Sequence, residues 1–197
     1  MSGNLVLASG SPRRAKILRS LGVRFDVLRT DAEEIALIPG RMYDQDETWH
    51  IVEGNATAKL LAGCRALGGR AHGILAADTV VWFRNRILGK PKSLAEAADD
   101  LRRLSGKVHS VFTGVAYLPP GAREDDLRSE VVESRVTFRT LSEAAIAAYV
   151  ARVKPLDRAG AYDIDESGDL IVESWSGSYE NIMGLPVEPL RKWGIVT

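Results

Sequence analysis

The chain has little of what marks several large protein classes. It carries one cysteine, Cys64, in 197 residues. That excludes an intrachain disulfide and cysteine-rich zinc sites, and it fits a reducing cytoplasm. Cys64 lies in an Ala/Leu-rich helical stretch and reads as a small buried hydrophobe. No apolar run approaches the ~20 residues of a membrane span. The N-terminus enters a strand almost at once, which argues against a cleaved signal peptide. An excess of one charge is also missing, since 26 Lys and Arg stand against 26 Asp and Glu. That balance suggests neither a nucleic-acid partner nor a membrane partner.

Several catalytic signatures are missing as well. No glycine lies at the required distance before Gly89-Lys90 or Gly106-Lys107, and neither lysine precedes Ser or Thr, so there is no Walker A loop. There is no G-x-G-x-x-G, and no G-x-S-x-G elbow supports a serine hydrolase. His50, His72 and His109 form no metal-ligand spacing, and each reads as a surface or internally satisfied histidine.

What is present begins at the N-terminus. Leu5-Val6-Leu7-Ala8 reads as a short buried strand and Ser9-Gly10 as a tight turn. Ser11 stands where a helix N-cap belongs, with Pro12 at the first helical position. A strand that feeds a helix through such a turn aims free backbone N–H groups at one spot, which attracts anions. Arg13 and Arg14 sit in the first turn, where the helix dipole disfavours cations. A bound polyphosphate would account for them, as would plain solvation.

Apolar spacing predicts a helix over 11–21, a strand over 23–28, an acid-rich loop, and a helix from about 47 to 67. Gly73-Ile74-Leu75-Ala76-Ala77 is a fully apolar strand ending at Asp78-Thr79, with an extended continuation to Phe83 and a hairpin tip at 84–86. A helix capped by Ser93 follows. Two long β segments span about 107–118 and 130–140, and a helix begins at Ser142. Short strands are expected near 161–164 and 170–175, with a C-terminal helix after Pro186. The pattern predicts a single α/β domain over 1–197 with a mixed sheet and two lobes around a cleft.

Charged residues at element ends carry the chemistry. Asp78 follows an apolar strand, and a carboxylate at a sheet's carboxyl edge adjoins the usual ligand crevice. There it can hold a divalent metal or accept a proton from water. Lys90 sits in the stiff context Leu88-Gly89-Lys90-Pro91. Lys59 on its helix, and Glu33 and Glu34 in their loop, read by default as solvated groups.

Together these segments resemble the Maf family of nucleoside triphosphate pyrophosphatases. The likeness runs through Ala8-Ser9-Gly10-Ser11-Pro12-Arg13-Arg14, Ala77-Asp78-Thr79 and Leu88-Gly89-Lys90-Pro91. It continues through residues 105–114, Pro155-Leu156-Asp157-Arg158-Ala159-Gly160-Ala161-Tyr162, and residues 177–186. It implies an elongated α/β fold with a mixed twisted sheet flanked by helices and a central cleft, similar to inosine triphosphatase-like folds, usually as a homodimer. The implied reaction is metal-dependent hydrolysis of a nucleoside triphosphate to a monophosphate and pyrophosphate, and the double arginine resembles the branch acting on dTTP and UTP. The resemblance makes Asp78, Lys59 and Lys90 catalytic, and Ser9, Ser11, Arg13 and Arg14 phosphate-binding. Asp78 with Glu34 would hold Mg²⁺ or Mn²⁺. Arg13, Thr79 and Asp165 would govern base choice. An association of the family with septum formation keeps a non-catalytic regulator open.

The chain departs from the family pattern twice. Arg158 replaces a lysine, exchanging a compact ammonium for a planar fork. Asp163-Ile164-Asp165-Glu166 replaces Gly-Ile-Gln-Gly, so Asp165 stands where a glutamine is expected. An aspartate only accepts hydrogen bonds and would favour amine-bearing bases such as cytosine, or purine and modified bases. Alternatively it faces solvent, or binds metal with Asp163.

Overall fold

Alternating and continuous apolar runs in this chain are resolved into one mixed sheet with helices on both faces. The computed structural model describes residues 5–38, 40–68 and 71–197. The strands are β1 (Leu5–Leu7), β2 (Phe25–Val27), β3 (Gly73–Phe83), β4 (Arg86–Leu88), β5 (Val108–Leu118), β6 (Arg128–Phe138) and β7 (Val172–Ser176). The helices are α1 (Pro12–Ser20), α2 (Gln45–Leu67), α3 (Leu94–Leu104), α4 (Glu143–Val153), α5 (Tyr179–Met183) and α6 (Val187–Lys192). The strand order is β2-β1-β3-β5-β6-β7, with β4 also on β3. β1 is parallel to β2 and β3, and the remaining pairings are antiparallel.

The two-residue period of β3 and β5 divides the core. Leu75, Ala77, Val81, Val111 and Val115 face α1, α3 and α4. Ile74, Ala76 and Ala116 face Ala56 and Leu60 of α2, and Val80 and Phe112 face Val52. α2 begins two residues earlier than its apolar pattern suggests. Asp44 and Glu47 form a reciprocal capping box there, the Asp44 side chain accepting from the Glu47 N–H.

β3 runs unbroken through Asp78 to Phe83, in line with the extended continuation read from the sequence, and Val80 and Val81 find core on opposite faces. Two expectations change. No strand forms at 161–164. Gly160 and Ala161 adopt left-handed φ of 67° and 60°, which breaks an extended run. Gly160 must be glycine, since a Cβ there would lie 2.7 Å from Val81 Cγ2. The second change is α5, a single turn capped by Ser178, too short to carry an apolar period.

Gly114 sets how deeply α2 seats on the sheet. It pairs with Asp78 across β5 and β3, so both lie under α2. A Cβ at Gly114 would stand 2.3 Å from the Val52 carbonyl oxygen and 2.8 Å from the Glu53 nitrogen. Both are helix backbone and cannot swing aside as a side chain would. Gly114→Ala should therefore lower stability by about 1–3 kcal/mol, read as a lower urea midpoint; an unchanged midpoint would show that α2 can lift freely.

His109 is buried, meets the rings of Phe138 and Tyr162 edge-on, and hydrogen-bonds the Tyr162 hydroxyl through Nε2 at 2.9 Å. Burial pulls its pKa down to about 3, so the fold holds the neutral ring. The unfolded chain binds a proton below about 6.5. Stability is then complete above that pH and falls as pH drops toward 3. Urea titrations at neutral and mildly acidic pH should show this loss, with a shallower slope in His109→Gln; equal slopes would contradict the assignment.

Candidate active site

The chain leaves β1 toward β2 by way of α1, while β3 lies on the other side of β1, reached through α2. α1 and α2 pack on opposite faces of the sheet. The carboxyl end of β1 is thus a topological switch point, where open α/β sheets bind ligands. A gap in pairing widens the crevice. One edge of β3 is paired with β5 from Ile74 to Trp82. The other edge is shared by β1, opposite Gly73–Leu75, and β4, opposite Val81–Phe83. Residues 76–80 lie between these two partners, and Asp78 and Thr79 of this stretch line a cleft of about 540 Å³. Its lining includes Ser9, Ser11, Arg13, Arg14, Glu34, Lys59, Asp78, Thr79 and Lys90.

The two arginines have separate tasks. Arg14 is buried, and its Nε donates to the Gly184 carbonyl at 2.8 Å. Its Nη1 donates to Ser9 Oγ at 3.0 Å and its Nη2 to Thr79 Oγ1 at 3.1 Å. Burial pushes this guanidinium below its ordinary pKa, with Asp78 acting in the opposite direction. Its donors serve protein oxygens, so it anchors the turn rather than presenting a free fork. Thr79 Oγ1 is also 3.0 Å from Thr113 Oγ1. Arg13 points across the cleft mouth, where its Nη1 is 3.3 Å from Asp157 Oδ2 and 3.7 Å from Asp163 Oδ2. Ser11 occupies the N-cap position with Pro12 following, but its hydroxyl makes no cap bond. Its N–H instead donates to Ser9 Oγ at 3.2 Å. The first-turn N–H groups of α1 remain uncapped, as an anion site requires.

Asp78 rises from β3 beneath α2 and is buried. Its Oδ1 accepts from Lys59 Nζ at 2.6 Å, and its Oδ2 accepts from Asn55 Nδ2 at 3.0 Å. Glu34 Oε1 lies 3.2 Å from the same ammonium. Asp78 and Glu34 therefore converge on one point that already holds a positive charge. Two carboxylates fit a hard divalent cation such as Mg²⁺ or Mn²⁺, which commonly takes one or two carboxylates and completes its shell with phosphate oxygens and water. Among the described residues no group of three or more metal-ligating side chains forms an all-protein cage. Lys90 and Arg29 line the cleft and are exposed.

The structure brings together every expected site residue except Asp165. That side chain is not among the cleft-lining residues; it ion-pairs with Lys16 of α1, raising the Lys16 pKa. Asp163 enters the cleft instead. Its Oδ2 accepts from Arg158 Nε at 2.9 Å, and its Oδ1 accepts from the Asp165 and Glu166 N–H groups. Arg158 also pairs with Asp157 and Glu166, at 2.8 and 2.6 Å. Burial lowers its pKa, but these three carboxylates outweigh that and raise it overall. Sequence reasoning missed Asp157 and Arg29 as cleft-lining residues and Asn55 as the partner of Asp78. Asn55 had a usable signal: it lies four residues before Lys59, so the two share a helix face.

Comparison with known proteins agrees with this geometry. The model of the Maf-like protein family matches residues 4–193. The dTTP/UTP pyrophosphatase of Aromatoleum aromaticum is 41% identical over 197 residues, covering 95% of this chain and 92% of that one. The dTTP/UTP pyrophosphatase of Clostridioides difficile is 40% identical over 187 residues, covering 95% and 91%. Among solved structures, the Ham1 protein of Staphylococcus aureus aligns with a TM-score of 0.43 at 16% identity, covering 69% of this chain and 71% of that one. A cleft built by the predicted segments and a family match across nearly the whole chain lead to one conclusion: this chain belongs to the Maf family.

Proposed function

We propose that this cleft hydrolyses a nucleoside triphosphate, dTTP or UTP, between its α- and β-phosphates. Water bonds to a phosphorus, the bridging P–O bond breaks, and a nucleoside monophosphate and pyrophosphate leave. The observation that carries this reading is the convergence of Asp78, Glu34 and Lys59 on one point in a cleft that also exposes Lys90, Arg29 and the uncapped start of α1. The names of the relatives supply the nucleotide.

The chemistry follows from charge. A triphosphate repels an attacking hydroxide, so cations and N–H donors must offset its oxygens. Lys90, Arg29 and the start of α1 serve the phosphates, with Arg13 at the cleft mouth. Asp78 takes the proton of the attacking water, its carboxylate held by Lys59 and Asn55. A divalent cation held by Asp78 and Glu34 would supply further charge neutralisation on the phosphoryl oxygens. The continuous sheet supports reading residues 1–197 as one domain with two lobes around the cleft. The family resemblance supports a cytoplasmic homodimer.

The position of Asp165 favours thymine and uracil over a shift toward amine-bearing bases such as cytosine. Its acceptor oxygens are turned to Lys16 and not to the cleft.

Two measurements test this reading. Asp78→Asn should cost at least ~100-fold in kcat for pyrophosphate release from dTTP with Mg²⁺ or Mn²⁺, and turnover near that of the wild type would reject Asp78 as the base. Across dTTP, UTP, CTP and GTP, Asp165→Gln should leave the kcat/KM ratios within about threefold, less than the loss of a hydrogen bond to the base would produce. A wild-type preference for CTP that disappears in Asp165→Gln would restore Asp165 as a base reader.

A further inference from the structure

α2 turns a nearly apolar face to the sheet: Ile51, Val52, Ala56 and Leu60 are all buried there. Asn55 interrupts it and is itself only 5% exposed. A buried amide in a helix interior is costly unless its donors and acceptor are satisfied. One of its bonds goes to cleft-lining Asp78 and the other to Ile35, the residue after cleft-lining Glu34. Nδ2 donates to Asp78 Oδ2 at 3.0 Å, and Oδ1 accepts from the Ile35 N–H at 2.7 Å. The orientation of the amide is forced. A backbone N–H can only donate and an ionised carboxylate can only accept, so oxygen must face Ile35 and nitrogen must face Asp78.

Asn55 and Lys59 lie one helical turn apart and hold opposite oxygens of the same carboxylate. With one donor the carboxylate could pivot about its bond to Cβ; with two its plane is set. The donors differ in kind. Lys59 brings a charge and is shared with Glu34. Asn55 is neutral, so it orients Asp78 without adding a second cation beside it. Its other bond pins the residue that follows Glu34, and so fixes where that loop approaches Lys59.

We propose that Asn55 is a positioning residue for the pyrophosphatase reaction: it fixes the carboxylate plane of Asp78 and docks the Glu34 loop beside it. The assignment rests on the functional reading above. Asn55 touches neither substrate nor reacting atoms, and its effect passes through Asp78.

The test is a mutant cycle on pyrophosphate release from dTTP with Mg²⁺, joined to circular dichroism melting of each variant. Asn55→Leu should lower kcat by about 10- to 100-fold, the scale of a small misplacement of a catalytic group. Its KM should stay within about threefold, because the phosphate-binding cations are untouched. In an Asp78→Asn background the same change should cost less than about threefold more, since the group it orients no longer acts. If Asn55→Leu fails to fold, Asn55→Ala removes both bonds without adding bulk or charge beside Asp78; it should show the same fall in kcat. A folded variant with wild-type kcat, or a full additional loss in the Asp78→Asn background, would overturn the assignment. Absence of pyrophosphate release by the wild type would instead defeat the functional reading, and this assignment with it.

Discussion

A strand covered on both faces still needs partners for its backbone on both edges. β3 has a continuous partner on one edge, but on the other β1 and β4 pair only with its two ends. The stretch between them is a break inside an open sheet whose outer strands are β2 and β7. Because it lies beside the carboxyl end of β1, the turn from β1 into α1 opens onto it. The cleft is this break, and the site residues are those whose side chains or N–H groups border it. Asp78 and Thr79 lie on opposite faces of the same short stretch. One is therefore served by α2 and the other by Arg14 and the residues before α6.

Charge compensation organises the walls. Lys59 is shared by Asp78 and Glu34, Arg13 lies between Asp157 and Asp163, and Arg158 is enclosed by three carboxylates. The three cations, with Asp78 and Asp163, are largely withdrawn from water, where an unpaired charge would be expensive, whereas Glu34, Asp157 and Glu166 are exposed. Lys90 and Arg29 are exposed and need no such partner. The cleft therefore combines ionic pairs that fix its shape with solvated cations near its opening.

Much of this was legible in the sequence because it depended on local pattern. The run from Leu5 to Arg14 announced a strand, a turn and a helix start by residue type alone. Ser9, Ser11, Arg13, Arg14, Lys59, Asp78, Thr79, Lys90 and Glu34 all border the cleft as the family resemblance implied. What escaped detection depended on partners distant along the chain. Nothing near Asp165 reveals that Lys16, 149 residues away, takes its carboxylate. Asp163 was read through its neighbour's position, although it is the residue that turns inward. The 161–164 segment carries apolar residues that suit a strand, but Gly160 and Ala161 adopt left-handed φ, with Gly160 close against Val81, and the extended run is broken. Asn55 was hidden inside a helical apolar pattern, where a single polar residue looks like noise until its partners are known.

Arg14 joins three regions far apart in sequence: the turn at Ser9, the floor at Thr79 and the carbonyl of Gly184, 170 residues along the chain. That last contact has a consequence for synthesis. While the chain is still being made, β1, α1 and β3 can be present, yet the guanidinium lacks one of its three acceptors until Gly184 emerges. Loop closure over such a span is slow relative to local structure. The cleft is therefore completed only once Gly184 is in place, and a chain that stops before Gly184 lacks this anchor however well its sheet has formed.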